Sequence, residues 1–72
     1  MKKQIRIERF DSLFGVVIKV TMRGVFMKLE NGLIGFSYTS LKIGDRVFCS
    51  VKNIKKDGFI ILTIDSVQFD RI

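Results

Sequence analysis

Residues 15–36 read GVVIKVTMRGVFMKLENGLIGF, and this stretch determines how the chain folds. Val25, Met27 and Leu29 occupy every second position, which is the period of a strand with one buried face. The same alternation turns Phe26 towards the opposite face. A register slip of one residue would expose the whole apolar set, so we predict that Phe26 lies on the outer surface.

Strand signals continue outward from this stretch. β-branched and apolar residues form short segments, separated by glycines and by Asn-Gly or Asp-Gly pairs. The predicted strands are 15–20, 24–29, 33–38, 47–54 and 59–64. We expect type I′ turns at Asn31-Gly32 and Asp57-Gly58, because both residues of each pair accept a positive φ. The 39–46 connection leaves room for one helical turn at most.

Three strands in a meander followed by two more predict an all-β fold, namely a small five-stranded OB-fold Greek-key barrel. Closure into a barrel removes the free sheet edges that so short an open sheet would leave unprotected. An SH3-like barrel is the alternative, although it accounts less well for the glycines at 15, 24, 32 and 35. We expect residues 1–72 to form a single domain.

The charge balance points to a polyanionic partner. Thirteen basic residues stand against seven acidic ones, for a net charge of +6. Such an excess favours nucleic acid first and an anionic membrane surface second. No apolar run approaches the ~20 residues of a membrane helix, and no apolar segment of a secretory signal follows the basic N-terminus.

The residue inventory disfavours catalysis and metal binding. The chain has no histidine and one cysteine, Cys49, which falls on the inward phase of its strand. A lone cysteine fits a reducing cytoplasm and excludes an internal disulfide, and the same inventory gives no zinc site. Asp45 and Asp57 adjoin glycines, so turn chemistry accounts for them. We therefore expect a binding protein without cofactor or metal, not an enzyme.

An ordered set of glycines and apolar residues carries a family resemblance. Its three parts are Gly15-x-Val17-x-x-Val20-x-x-x-Gly24-x-Phe26-Met27-x-Leu29-x-x-Gly32-x-x-Gly35-Phe36-x-x-x-Ser40, Ile43-Gly44-Asp45-x-Val47-x-x-x-Val51 and Asp57-Gly58-x-Ile60-x-Leu62-Thr63. The set resembles the S1 RNA-binding domain, a family named for a ribosomal protein, over about residues 13–64. The resemblance implies an OB barrel, with short extensions at both ends, that binds single-stranded RNA through its second and third strands and the turn before the fifth.

The resemblance also implies site residues. Phe26 matches a stacking aromatic of the family, and Tyr38 stands where the family usually has histidine. Arg23 replaces an aromatic that often precedes the glycine of the second strand. Lys55 stands at a position where an acid is common, and Phe59 where arginine is common. These replacements are still aromatic or basic, so they can stack on bases or contact phosphates.

Lys28 joins this set because it shares the strand face of Phe26. The predicted nucleic-acid site comprises Phe26, Lys28, Tyr38, Arg23, Lys55 and Phe59. Its expected partner is single-stranded RNA, with single-stranded DNA and the ribosome left open. The face of Lys19 stays undecided, because its strand is expected to bend or bulge. Phe36 is expected in the core, in place of the family's aliphatic residue.

The alternative function is a protein-interaction module, acting through a partner protein, a ribosome or a second copy of the chain. Phe48 and Ile61 are predicted to point outward, where they form a partner surface. Otherwise they are covered by the segment 5–7 or by the tail around Val67 and Phe69. The segment Leu29-Glu30-Asn31-Gly32 resembles bacterial translation initiation factor one, also a small OB protein.

Overall fold

The computed structural model describes residues 10–68, which form five strands and no helix. The strands are β1 (Ser12–Val20), β2 (Val25–Leu29), β3 (Ile34–Ser37), β4 (Arg46–Ile54) and β5 (Ile60–Gln68). Thus β1 begins three residues before its predicted start and β5 continues four residues beyond its predicted end. In this described part, no helix has the length and apolarity needed to cross a membrane.

The strands close into a barrel in the order β1-β2-β3-β5-β4. Neighbouring strands pair antiparallel, except that β3 and β5 pair in parallel. The β1–β4 pairing closes the barrel, so the sheet ends where it began and has no continuous free edge. This arrangement confirms the predicted all-β barrel of the small OB type.

The core follows from the alternation seen in the sequence. Val25, Met27 and Leu29 of β2 are buried, as predicted, and Phe26 between them is on the outer side. The inward residues of the other long strands join the same cluster; they include Val17, Val47, Cys49, Val51, Ile60 and Leu62. Ile64 and Val67 pack against this cluster and are only partly buried. Val67 thus faces the core and does not cover the outer surface.

The β2–β3 hairpin closes through residues 30–32 rather than through a type I′ turn. The Gly32 amide donates to the Leu29 carbonyl at 2.8 Å, and the Leu29 amide donates to the Leu33 carbonyl at 2.8 Å. Gly32 has a φ of +90°, but Asn31 does not have a positive φ. A type I′ turn needs both, so the prediction is wrong; this is a longer loop with glycine in the left-handed position.

The β4–β5 hairpin repeats this geometry. The Gly58 amide donates to the Lys55 carbonyl at 2.8 Å, and the Lys55 amide donates to the Phe59 carbonyl at 2.9 Å. Gly58 has a φ of +88°, and Asp57 again lacks a positive φ. The Asp57 side chain accepts a hydrogen bond from the Phe59 amide at 3.0 Å. This local contact stabilises the longer loop, so the predicted type I′ turn is wrong here too.

A bulge in β1 settles the face of Lys19. The β1–β2 register runs from Val17 opposite Met27 directly to Lys19 opposite Phe26, so Ile18 is the extra residue. The expected irregularity is confirmed, and it places Lys19 directly across from Phe26. The segment 5–7 and Phe69, two of the predicted covers for outward apolar residues, lie outside the described residues.

Candidate nucleic-acid interface

Four aromatic rings of the described chain meet on the outer side of β2 and β3, and we call them the aromatic cluster. They belong to Phe26, Phe36, Tyr38 and Phe59. Phe36 is the central ring: its centroid lies 4.8 Å from that of Phe26, 4.9 Å from that of Tyr38 and 5.8 Å from that of Phe59. The first two pairs meet edge to face, an arrangement that aromatic rings favour.

Strand register brings Phe26 and Phe36 together. They are directly opposite in the antiparallel β2–β3 pair, so both side chains leave the same face of the sheet. The expectation that Phe36 is a buried core residue is confirmed, although its ring packs on this face of the sheet and not with the inward residues of β2. It is buried, at 6% exposure, but it lies outside the core cluster and packs among the outer rings. The inward position beside it is Gly35, whose missing side chain leaves space for Leu62.

Tyr38 offers the most open ring of the aromatic cluster, with 64% of its surface exposed. Phe26 and Phe59 are half-buried. A concavity of about 270 Å³ lies between them and the β4–β5 turn, with Ile34 and Gly58 in its wall. A planar base placed here would meet ring surfaces on a rigid hairpin frame, and such stacking is tolerant of base identity.

Two of the predicted basic residues lie beside the aromatic cluster. Lys55 is exposed, and its backbone amide is bonded to the carbonyl of Phe59. Arg23 is exposed in the β1–β2 turn, where its amide donates to the Thr21 hydroxyl at 3.2 Å. The next residue, Gly24, is so close to Phe36 that an added Cβ would lie 2.8 Å from its ring. The backbones of Arg23 and Lys55 are therefore next to the aromatic cluster, in two different turns.

Lys19 was not among the predicted site residues, whereas Lys28 shares the outer face of Phe26, as predicted. Lys19 is exposed and stands opposite Phe26 because of the bulge. Lys28 is also exposed on the outer face, two residues from Phe26, but it borders another concavity. The bulge is the only signal that could have identified Lys19, and the sequence alone does not locate the extra residue.

This second concavity, which we call the apolar groove, has a volume of about 570 Å³ and runs along the outer side of β1. Its lining includes Phe14, Val16, Ile18, Lys28, Glu30 and Arg46. Phe14 is 48% exposed and stands opposite Phe48 in the β1–β4 pair, with their ring centroids 4.8 Å apart. Phe48 therefore points outward, as predicted.

Ile61 does not form an exposed apolar surface with Phe48, so that prediction is wrong. It lies opposite Phe36 in the parallel β3–β5 pair and is only 6% exposed. Strand alternation places Ile61 on the outer face, and its absence from the core cluster agrees with that placement. Alternation does not reveal that barrel closure places β3 beside Ile61 and so buries its side chain.

The single cysteine is buried below the β1–β4 pair. The Cys49 thiol donates to the Leu13 carbonyl at 3.3 Å. Burial, together with the negative charges of Asp65 and Glu30, raises the pKa of the thiol from 9.0 to about 11. Since the thiolate is the reactive form, Cys49 is a packing residue at neutral pH.

Comparison of the chain with protein-family models gives no match, and comparison with curated proteins gives none either.

Proposed function

We propose that this chain is a binding module for single-stranded RNA. The observation that carries the proposal is the aromatic cluster, in which exposed Tyr38 and half-buried Phe26 surround a buried ring. Stacking of bases on such rings contributes about 1–3 kcal/mol per base. Exposed apolar surface of this kind often marks an interaction site.

Charge supports the same proposal. The chain carries a net charge of +6, and exposed Lys19, Arg23 and Lys55 adjoin the aromatic cluster through the backbone: Lys19 is opposite Phe26, Lys55 is bonded to Phe59, and Arg23 precedes Gly24, which lies against Phe36. Cations beside stacking rings hold the phosphate backbone while the bases lie on the rings. Binding of this kind weakens as salt rises, because phosphate contacts release condensed counterions.

The resemblance to the S1 domain agrees with this position of the site. Phe26 is the residue that matches the family's stacking aromatic, and it lies on the outer face of β2. Tyr38 and Phe59, which replace a histidine and an arginine of the family pattern, are the residues that meet Phe36 beside it. The proposed site thus combines one matching residue with aromatic replacements.

Fluorescence anisotropy with a labelled octauridylate at low salt tests the proposal. We expect Phe26→Ala to weaken binding about tenfold, since one stacking platform is lost. Phe14→Ala is the matched control, because it removes a ring of a second outer aromatic pair with the same 4.8 Å centroid separation. Absence of binding by the unmodified chain, or equal loss in both variants, would contradict the proposal.

A second candidate function, protein interaction, is favoured by the apolar groove. Exposed Phe14, Val16 and Ile18 lie side by side along β1, and contiguous apolar surface often marks a partner site. Lys28 at the rim and the net charge of +6 favour a partner with an acidic surface over a second copy of this basic chain.

Light scattering distinguishes a different, acidic partner from self-association, because it measures the oligomeric state of the chain alone. A monomer at high protein concentration agrees with a partner of different charge. A dimer that dissociates in a Val16→Lys variant would instead assign the groove to self-association. A dimer that persists in this variant but dissociates in Tyr38→Lys would place the contact on the aromatic cluster, and it would count against RNA binding.

A further inference from the structure

A cleft of about 260 Å³ opens where β3 and β5 separate. The two strands pair only at Gly35 with Ile60 and at Phe36 with Ile61. After Ser37 the chain turns away, whereas β5 continues to Gln68. The short connection from β3 to β4 carries no helix over this opening.

The cleft is polar, unlike the apolar groove. Hydroxyl-bearing residues Ser37, Thr39 and Thr63 line it, together with Lys52 from β4. Tyr38 belongs both to this lining and to the aromatic cluster. The cleft is therefore continuous with the proposed stacking surface, and its only described cation is Lys52.

Ser37 is the side chain of this lining that could hydrogen-bond a ligand. It is only 3% exposed, and its hydroxyl forms no hydrogen bond with any of the residues 10–68. In this part of the chain, every side-chain oxygen or nitrogen closed off from solvent has a hydrogen-bond partner. The Ser37 oxygen therefore keeps some contact with solvent, and Ser37 is one of the residues that line the cleft. A largely buried hydroxyl in that position is available to water or to a ligand group.

The β5 backbone adds to this polar lining. The β3–β5 ladder ends at Ile61, and the cleft is lined by the next residues, 62–64. On its other side β5 remains paired with β4 through Leu62 and Thr63. The cleft therefore has one rigid wall, and β3 supplies no ladder partner for that wall within the described residues.

These features fit the sugar-phosphate unit of a nucleotide. A base stacked on Tyr38 would bring its ribose and phosphate to the edge of the ring, where the cleft begins. Lys52 can pair with a phosphate, and hydroxyl groups can bond the ribose 2′-OH. We propose that the β3–β5 cleft binds the ribose and phosphate of the nucleotide stacked on Tyr38, which favours RNA over DNA. This inference rests on the proposed function.

Binding of octauridylate and its deoxy counterpart, dU8, tests the inference, because the two differ only in the 2′-OH. We expect wild type to bind the ribonucleotide about fivefold more tightly, and Ser37→Ala to abolish this preference. Lys52→Gln should weaken binding of both about fivefold and reduce the salt slope by about 0.7. Lys42→Gln is the matched control, since it removes the same charge from an exposed residue that does not line the cleft.

The outcomes distinguish this inference from the function on which it rests. Loss of binding in Phe26→Ala, with Lys52→Gln no weaker than Lys42→Gln, would overturn the cleft and leave the RNA proposal intact. Equal binding of the two oligonucleotides by wild type would overturn the ribose contact. No binding of either would overturn both proposals. Ser37→Ala should fold normally, because it removes a hydroxyl that has no partner in the described chain.

Discussion

The aromatic cluster and the apolar groove are two outer surfaces of one barrel, and both are built around the same kind of ring pair. Each contains a cross-strand phenylalanine pair with centroids 4.8 Å apart, Phe26–Phe36 in one and Phe14–Phe48 in the other. In the cluster, two further rings pack around the pair; the groove is lined instead by aliphatic Val16 and Ile18 and by charged Lys28, Glu30 and Arg46. A ring pair alone therefore does not define a binding surface, because the side chains around it determine which ligand it suits.

The largest expected difference between the two surfaces is in the stability lost when a glycine beside each is replaced by alanine. In Gly24→Ala, the new Cβ would overlap the Ser37 carbonyl and press on the Phe36 ring, so we expect about 3 kcal/mol of lost stability. In Gly15→Ala, the nearest atom is the flexible end of Leu29 at 3.2 Å, and the change should stay within about 1 kcal/mol. Urea unfolding measures both.

A similar loss in the two variants would show that the cluster is not packed more tightly than the groove. Neither glycine has a positive φ, so backbone strain does not enter the comparison. Binding by any folded Gly24→Ala protein should also be weaker, since the Phe36 ring has to move.

The next effect belongs to the core beneath these surfaces, where the Cys49 thiol donates to the Leu13 carbonyl of β1. Its pKa is raised from 9.0 to about 11, so the folded state holds its proton more tightly than the unfolded state. This contribution to stability is complete below pH 9.0 and is lost as the pH rises towards about 11. Across that window we expect a loss of about 2 kcal/mol that a Cys49→Ala variant does not show.

Urea unfolding of both proteins at several alkaline pH values measures this difference. All other residues are common to the two proteins, so the variant corrects for every other pH-dependent contribution. Parallel stability curves would contradict the assignment of the raised pKa to burial of the thiol.

Substitution of Tyr38 sharpens the comparison at the exposed ring. We expect Tyr38→Ala to weaken binding of octauridylate about tenfold, whereas Tyr38→Phe keeps the stacking surface and stays within about twofold. Anisotropy titration at low salt compares them. If Tyr38→Phe loses as much as Tyr38→Ala, the hydroxyl and not the ring face makes the contact.

The smallest effect concerns Lys19 of β1 and Lys28 of β2. Lys19 faces Phe26 across the bulge, whereas Lys28 borders the apolar groove. We expect Lys19→Gln to weaken RNA binding about threefold and Lys28→Gln by less, each measured at low salt. The reverse order would mean that the RNA path extends from Phe26 towards the groove, as the sequence grouping of Lys28 with Phe26 suggested.

Much of the fold could be predicted because strand alternation is a local property. Val25, Met27 and Leu29 define a buried face, and the outward position of Phe26 follows from them. Phe36 could not be assigned in the same way. Its strand is short and has Gly35 at the inward position, so no apolar side chain there indicates which face is buried. Only the pairing with β2 determines its side.

Neither the type of the turns nor the presence of the cleft can be predicted from local sequence, and the physical reasons differ. Asn31 accepts either sign of φ, so Asn-Gly is compatible with the type I′ turn and with the longer loop found here. Lys52 and Tyr38 meet at one cleft only because β3 lies beside β5 in the closed barrel. Such contacts between distant segments depend on topology, which the strand pattern predicts only as a class.

An amide chemical-shift map on addition of octauridylate tests the central claim most directly, because it observes both surfaces in one sample. We predict that the largest shifts centre on Phe26, Phe36 and Tyr38, and that they are reduced in the Phe26→Ala variant. The amides of Phe14 and Phe48 should change little. Shifts that centre on Phe14 and Phe48, or that spread evenly over the barrel, would contradict the assignment of RNA binding to the aromatic cluster.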